Sequence, residues 1–108
     1  MIIRRHLLQL LLALAIAGPA FAEDSAAGVT VKIENFTFSP AELHIAPGTT
    51  VTFENADDIP HSIVENDKKF HSKPLDTGDK FTMTFNDPGE INYYCGFHSH
   101  MTGKIIVK

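Results

Sequence analysis

The chain is 108 residues long, and its length, charge and cysteine content already narrow what it can be. Nine Lys and Arg residues stand against 13 Asp and Glu residues, so the formal net charge is −4 at pH 7. This balance argues against a protein that depends on binding nucleic-acid phosphates. One Cys excludes an intramolecular disulfide framework. The length allows one small domain at most.

The first 22 residues have the pattern of a secretory signal peptide. Arg4 and Arg5 precede an apolar run over residues 7–17, and residues 20–22 form an A-x-A cleavage site. The run is short for a membrane span and polar residues follow it, so we expect cleavage after Ala22, a periplasmic location and no stable membrane insertion. An uncleaved anchor is the alternative. The general secretory route is favoured over twin-arginine export, for which the residues around the Arg pair are a poor match.

From Val29 onward, apolar and polar residues alternate, which predicts half-buried strands of antiparallel sheets. Turn residues, among them Pro and Gly at 47–48 and at 88–89, separate these stretches. Seven or so short strands at regular spacing predict an all-β protein with a β-sandwich architecture. The predicted strands cover residues 29–34, 42–45, 50–54, 61–65, 81–85, 90–94 and 104–107.

The least regular segment after residue 28 is 66–75, which we predict to be a long loop. Lys68, Lys69 and Lys73 make it the densest positive patch on an acidic chain. We interpret it as a solvated loop in preference to a docking site.

Cys95, His98 and Met101 place a thiol, an imidazole and a thioether within seven positions, directly after a predicted strand. His61 follows a turn that contains Pro60, and a sandwich can bring that turn to the same end of the molecule. Two His, one Cys and a weak axial Met are the donors of blue copper electron-transfer sites. Zinc prefers four stronger donors, and calcium and magnesium prefer oxygen.

These residues resemble those of the cupredoxins, which are small blue copper proteins. The C-x-x-H-x-x-M segment at 95–101 has the short ligand spacing of amicyanins, whereas plastocyanins and pseudoazurins keep more residues before the Met. The resemblance covers essentially all of the chain after the predicted signal peptide. It implies that residues 23–108 form a Greek-key cupredoxin domain of seven to eight strands. It also implies one type 1 copper ion, held by His61, Cys95, His98 and axial Met101.

Two residues depart from the cupredoxin pattern. Ser62 stands where relatives usually have Asn, so we expect a shorter link between the two ligand segments and a looser site. Phe97 stands where many relatives have Pro and therefore keeps a backbone N–H. Our hypothesis is that this N–H points at the Cys95 sulfur and raises the reduction potential.

The resemblance implies a monomeric carrier of single electrons, with a dehydrogenase as donor and a c-type cytochrome as acceptor. A copper-delivery or copper-resistance protein is the alternative, and a metal-free Ig-like interaction module is a third hypothesis. We expect no enzyme activity, because Ser62 and Ser99 have no evident His and acidic partners for nucleophilic catalysis. We interpret the remaining histidines of the predicted domain as surface residues, at positions 44, 71 and 100.

Overall fold

The computed structural model describes residues 28–108; the predicted signal peptide and the domain boundary at residue 23 lie outside this range. No helix within 28–108 is long and apolar enough to cross a membrane. The described chain is built from strands, as the alternating pattern predicts. They are β1 (Val29–Glu34), β2 (Thr37–Ser39), β3 (Glu42–Ile45), β4 (Thr49–Asn55), β5 (Val64–Glu65), β6 (Lys80–Phe85), β7 (Gly89–Cys95) and β8 (His98–Val107).

The eight strands form two four-stranded sheets, in the orders β2-β1-β4-β6 and β3-β8-β7-β5. The predicted sandwich is therefore confirmed. The expectation of antiparallel sheets holds for four of the six strand pairs within residues 28–108 and is wrong for the other two, because β1 pairs with β4 and β3 pairs with β8 in parallel. From β3 to β7 each strand lies in the other sheet from the strand before it, so neither parallel pair is joined by a hairpin. Alternation shows which side of a strand is buried, and it carries no information on strand direction.

The inward side chains of both sheets form one hydrophobic core. On β4, Val51 and Phe53 are fully buried, while Thr50 and Thr52 face β6 on the outer surface. Fully burying one large apolar side chain stabilises the fold by roughly 1.5–3 kcal/mol. The other core residues below 2% exposure are Val31, Ile33, Phe38, Ile63, Leu75, Tyr93, Cys95, Ile105 and Val107.

The core also contains a tight contact between β7 and β8. Tyr93 is 1% exposed, and its hydroxyl has no hydrogen-bond partner among the described residues. Burial raises the pKa of this phenol well above its ordinary value. Gly103 lies opposite Tyr93, and a Cβ at position 103 would collide with the tyrosine ring and hydroxyl. The close approach of the two strands therefore requires glycine at position 103.

The predicted strand at 61–65 is shorter in the structure, where β5 comprises residues 64 and 65. The preceding residues pair instead with the end of the predicted loop. The His61 N–H donates to Leu75 O at 3.1 Å, and the Leu75 N–H donates to His61 O at 2.7 Å. The Ser72 N–H donates to Ile63 O at 2.8 Å, and the Ile63 N–H donates to Ser72 Oγ at 2.9 Å. Loop 66–75 thus fixes the segment that carries the first candidate ligand.

Candidate metal centre

The segment that carries Cys95 and His98 is a tight hairpin between two strands. Cys95 is the last residue of β7, His98 is the first of β8, and the two are paired across the strands. The sequence predicts that the final strand begins at 104, whereas β8 begins six residues earlier and includes both His98 and Met101. Since the predicted strands end at 94 and resume at 104, the sequence places His98 in the loop between them, and this prediction is wrong. A hairpin whose register shifts between Tyr94 and Cys95 therefore holds the thiol and one imidazole.

The structure brings three of the four predicted ligands into one cluster. The Cys95 Sγ lies 3.5 Å from His61 Nδ1 and 3.7 Å from His98 Nδ1. The donor atoms of these residues all lie within 4.8 Å of one another. His61 and Cys95 are completely buried, whereas His98 is half-buried. The cluster therefore has a protected inner side and one imidazole at the surface.

The fourth predicted ligand, Met101, lies three residues after His98 on β8. Its side chain is 4% exposed and belongs to the same core cluster as Cys95. His100, between the two, is exposed, as are His44 and His71. The interpretation of these three histidines as surface residues is confirmed.

Ser62 links the two ligand segments through two hydrogen bonds. Its N–H donates to Cys95 Sγ at 3.5 Å, and its hydroxyl accepts the Gly96 N–H at 3.0 Å. The short hydroxyl thus makes a direct link. The hypothesis that Phe97 donates to the sulfur is wrong, because among residues 28–108 the backbone N–H that reaches the thiol belongs to Ser62.

Asp57 also belongs to the site, although no sequence pattern indicates it. Its carboxylate lies 2.8 Å from His61 Nε2 and accepts the backbone N–H groups of Asn35 at 2.7 Å and Phe36 at 3.0 Å. Although burial alone would raise the pKa of Asp57, the hydrogen bonds from Phe36, Asn35 and His61 together hold it below its ordinary value. Because Nε2 of His61 is engaged by Asp57, Nδ1 is the nitrogen left to face the thiol.

Asn55 holds the segment that carries Asp57. The Asn55 side chain is fully buried, and its Nδ2 donates to Ile59 O at 2.9 Å and to Leu75 O at 2.7 Å. Its Oδ1 accepts the Asp57 N–H at 2.8 Å. One amide thus connects the turn before His61 to loop 66–75. The sequence signal was an Asn at the end of a strand, which by itself indicates only a turn.

Phe36 contributes an aromatic ring to the site. Its ring centroid lies 5.7 Å from that of His61 and 5.1 Å from that of His98, with interplanar angles of 88° and 87°. The two imidazole centroids are 5.3 Å apart. The three rings therefore form a triangle of edge-to-face and tilted contacts. Nothing in the local sequence indicated this contact, because Phe36 lies far along the chain from both histidines.

The cluster suits a copper ion by the chemistry of its donors. Two imidazole nitrogens and one thiol face a common point, and a buried thioether lies on the same strand as one imidazole. Nitrogen and soft sulfur donors in this ratio match a type 1 copper centre. Asp57, bonded to the distal nitrogen of His61, supplies the outer hydrogen bond that ligating histidines ordinarily make.

Comparison with known proteins agrees with this chemistry. The model of the cupredoxin-like domain family matches residues 6–107. Amicyanin-alpha from Methylorubrum extorquens is 32% identical over 104 residues, which cover 89% of this chain and 86% of that protein. The match begins inside the predicted signal peptide, so the boundary after Ala22 stays a prediction.

Two solved structures are also similar. A purple cupredoxin from Nitrosopumilus maritimus is 36% identical, with a TM-score of 0.71, and the alignment covers 74% of this chain and 99% of that one. A copper-containing nitrite reductase from Thermus scotoductus is 34% identical, with a TM-score of 0.71, over 75% of this chain but 22% of the reductase. The same fold thus occurs alone and as one part of a larger enzyme.

Proposed function

The chain belongs to the cupredoxin family, whose members bind one type 1 copper ion and transfer electrons, and on this basis we propose that it is a periplasmic single-electron carrier. His61, Cys95, His98 and Met101 would hold the ion. The observation that carries the proposal is the position of the Cys95 thiol within 3.7 Å of Nδ1 of both histidines. Copper in such a site supplies a one-electron couple between Cu(II) and Cu(I).

The surrounding residues support this role by holding the donors in one arrangement. The hairpin fixes Cys95 relative to His98, Ser62 links the hairpin to the His61 segment, and Asp57 orients the His61 ring. A donor set held in this way changes little between the two oxidation states, which favours rapid electron exchange. Burial of His61 and Cys95 excludes water from the inner side of the site.

The half-buried imidazole of His98 is the proposed point of electron exchange. Phe36, whose ring packs against His98, and Phe97, the preceding residue in the chain, are each 53% exposed and provide apolar surface that a partner protein could cover. We propose a dehydrogenase as the electron donor and a c-type cytochrome as the acceptor, with the carrier acting as a monomer. A carrier is favoured over an enzyme because residues 28–108 contain one cluster of potential metal ligands, formed by His61, Cys95 and His98.

Copper loading of the purified protein tests the function. We expect an intense blue or violet thiolate charge-transfer band that is reversibly bleached by reduction. Cys95→Ser should abolish the band, and His100→Ala, which alters an exposed histidine between two proposed ligands, should retain it. Copper that binds without this band and is easily stripped would instead favour the delivery or resistance function. A band that survives Cys95→Ser would contradict the ligand assignment.

Processing and location have a separate test. Periplasmic fractionation of cells that express the full chain should yield a protein whose intact mass corresponds to a first residue Glu23. Recovery of the uncleaved chain from the membrane fraction would contradict both the proposed cleavage and the proposed periplasmic location.

A further inference from the structure

The turn between β1 and β2 has an unusual backbone conformation. Glu34 pairs with Thr37, so Asn35 and Phe36 are the central residues of a two-residue hairpin loop. Both have positive φ, 55° for Asn35 and 57° for Phe36. Such turns favour Asn, Asp or Gly at these positions, because a left-handed conformation is unfavourable for a bulky side chain. Asn35 fits this preference and Phe36 does not.

The position of the Phe36 side chain suggests why this unfavourable residue is present. Phe36 is 53% exposed, so its side chain contributes little to the core. It packs edge-to-face against His61 and His98 instead. Backbone strain that persists where a side chain meets a functional site points to a functional role for that side chain.

Asp57 fixes the position of this turn relative to the first histidine. The same carboxylate accepts the N–H groups of Asn35 and Phe36 and bonds His61 Nε2. The Phe36 backbone is therefore tied to a buried imidazole, and its ring extends to the half-buried imidazole of His98. Phe97 is equally exposed and adjacent to His98, but among the aromatic pairs of residues 28–108 it contacts neither imidazole.

We propose that Phe36 is a positioning residue, whose ring holds the His98 imidazole with Nδ1 directed at the Cys95 thiol. His98 is the candidate ligand with the least burial, so it has the most freedom to turn away. The ring closes one side of the imidazole and limits this motion. The proposal rests on the proposed function insofar as His98 is a copper ligand, but the restraint itself is a property of the metal-free protein.

The first test is therefore made without metal. Side-chain relaxation of isotope-labelled histidines in the metal-free protein should show that the His98 ring becomes more mobile in Phe36→Asn. Asn tolerates the left-handed conformation, so the free energy of unfolding should not fall with it. Phe97→Asn is the matched control, with equal exposure in the parent and no ring contact, and it should leave His98 mobility unchanged.

The second test uses the copper-loaded protein. Transfer of Cu(I) to a strong chelator should be about tenfold faster in Phe36→Asn than in the parent, and Phe97→Asn should match the parent. Phe36→Tyr keeps an aromatic ring and should restore the parent rate. If Phe36→Asn does not fold, the comparison of Phe36→Tyr with Phe36→Leu provides the same contrast with an apolar residue at position 36 throughout.

The two tests separate the failure of this proposal from the failure of the proposed function. Equal His98 mobility and equal copper release in Phe36→Asn and Phe97→Asn would overturn the role of Phe36, even if the copper band is present. Absence of the copper band from the parent would contradict the proposed function, while the metal-free relaxation measurements would still decide the restraint.

Discussion

The backbone N–H of Gly96 donates to the Ser62 hydroxyl at 3.0 Å, and a Cβ on Gly96 would lie 2.6 Å from the same oxygen. A side chain at position 96 would therefore collide with the oxygen that accepts this hydrogen bond. The link between the two ligand segments exists because position 96 is glycine.

Gly96→Ala should consequently destabilise the metal-free protein by about 1–3 kcal/mol, the usual effect of overpacking a close contact. Ser62→Ala removes the oxygen that the new Cβ would meet. The double variant should therefore lose less stability than the sum of the two single variants. Denaturant unfolding of all four proteins measures this coupling, and strict additivity would contradict it.

Tyr93→Phe should leave stability unchanged or raise it by about 1–3 kcal/mol. The substitution removes a buried hydroxyl that has no partner among the described residues, and leaving such a group unsatisfied costs free energy. Gly103→Ala should have the opposite effect, since a Cβ there would meet the Tyr93 ring. Thermal unfolding of the metal-free variants distinguishes the two directions, and a clear loss of stability in Tyr93→Phe would refute the first.

Asp57→Asn should destabilise the protein by about 1.5–3 kcal/mol, the range for hydrogen bonds to a charged group. It should also speed hydrogen exchange at the N–H groups of Asn35 and Phe36, which the carboxylate now accepts. Asp58→Asn removes the same charge from an exposed neighbour and serves as the control. Equal exchange rates at these two N–H groups in both variants would show that the loss of a negative charge, and not the loss of the Asp57 contact, causes the faster exchange.

Asn55→Asp should destabilise the protein by about 3 kcal/mol or more. The new carboxylate would be buried and would point an oxygen at the carbonyl groups of Ile59 and Leu75, which now accept hydrogen bonds from the amide. Asn66→Asp, at an exposed position, should be nearly neutral. Chemical denaturation at pH 7 tests the difference, and similar midpoints would be evidence against the role assigned to Asn55.

Much of the sandwich was predictable, because a strand with one buried side alternates in sequence. Val31, Ile33, Val51 and Phe53 appear in the pattern and are all fully buried. The ends of strands were less predictable. The segment at His61 has strand-like residues, but its backbone partners lie in loop 66–75, whose sequence has no strand pattern.

The proposed ligands were predictable for a different reason, since Cys95, His98 and Met101 lie close together in sequence and carry distinctive donors. The residues that orient the cluster were not predictable. Asp57 meets Asn35 across 22 positions, and Asn55 meets Leu75 across 20. Contacts of this kind arise from the topology, so composition and spacing do not reveal them.

His98 and Met101 lie on the same strand, at the place where β7 and β8 shift register. Cys95 pairs with His98 and Tyr94 pairs with Thr102, so residues 99–101 have no partner of their own on β7. An insertion or deletion within these residues would change the spacing between the two proposed ligands, while the pairing from Thr102 onward would keep Ile105 and Val107 in the core. The spacing of these ligands can therefore change in evolution without any change in the hydrophobic core.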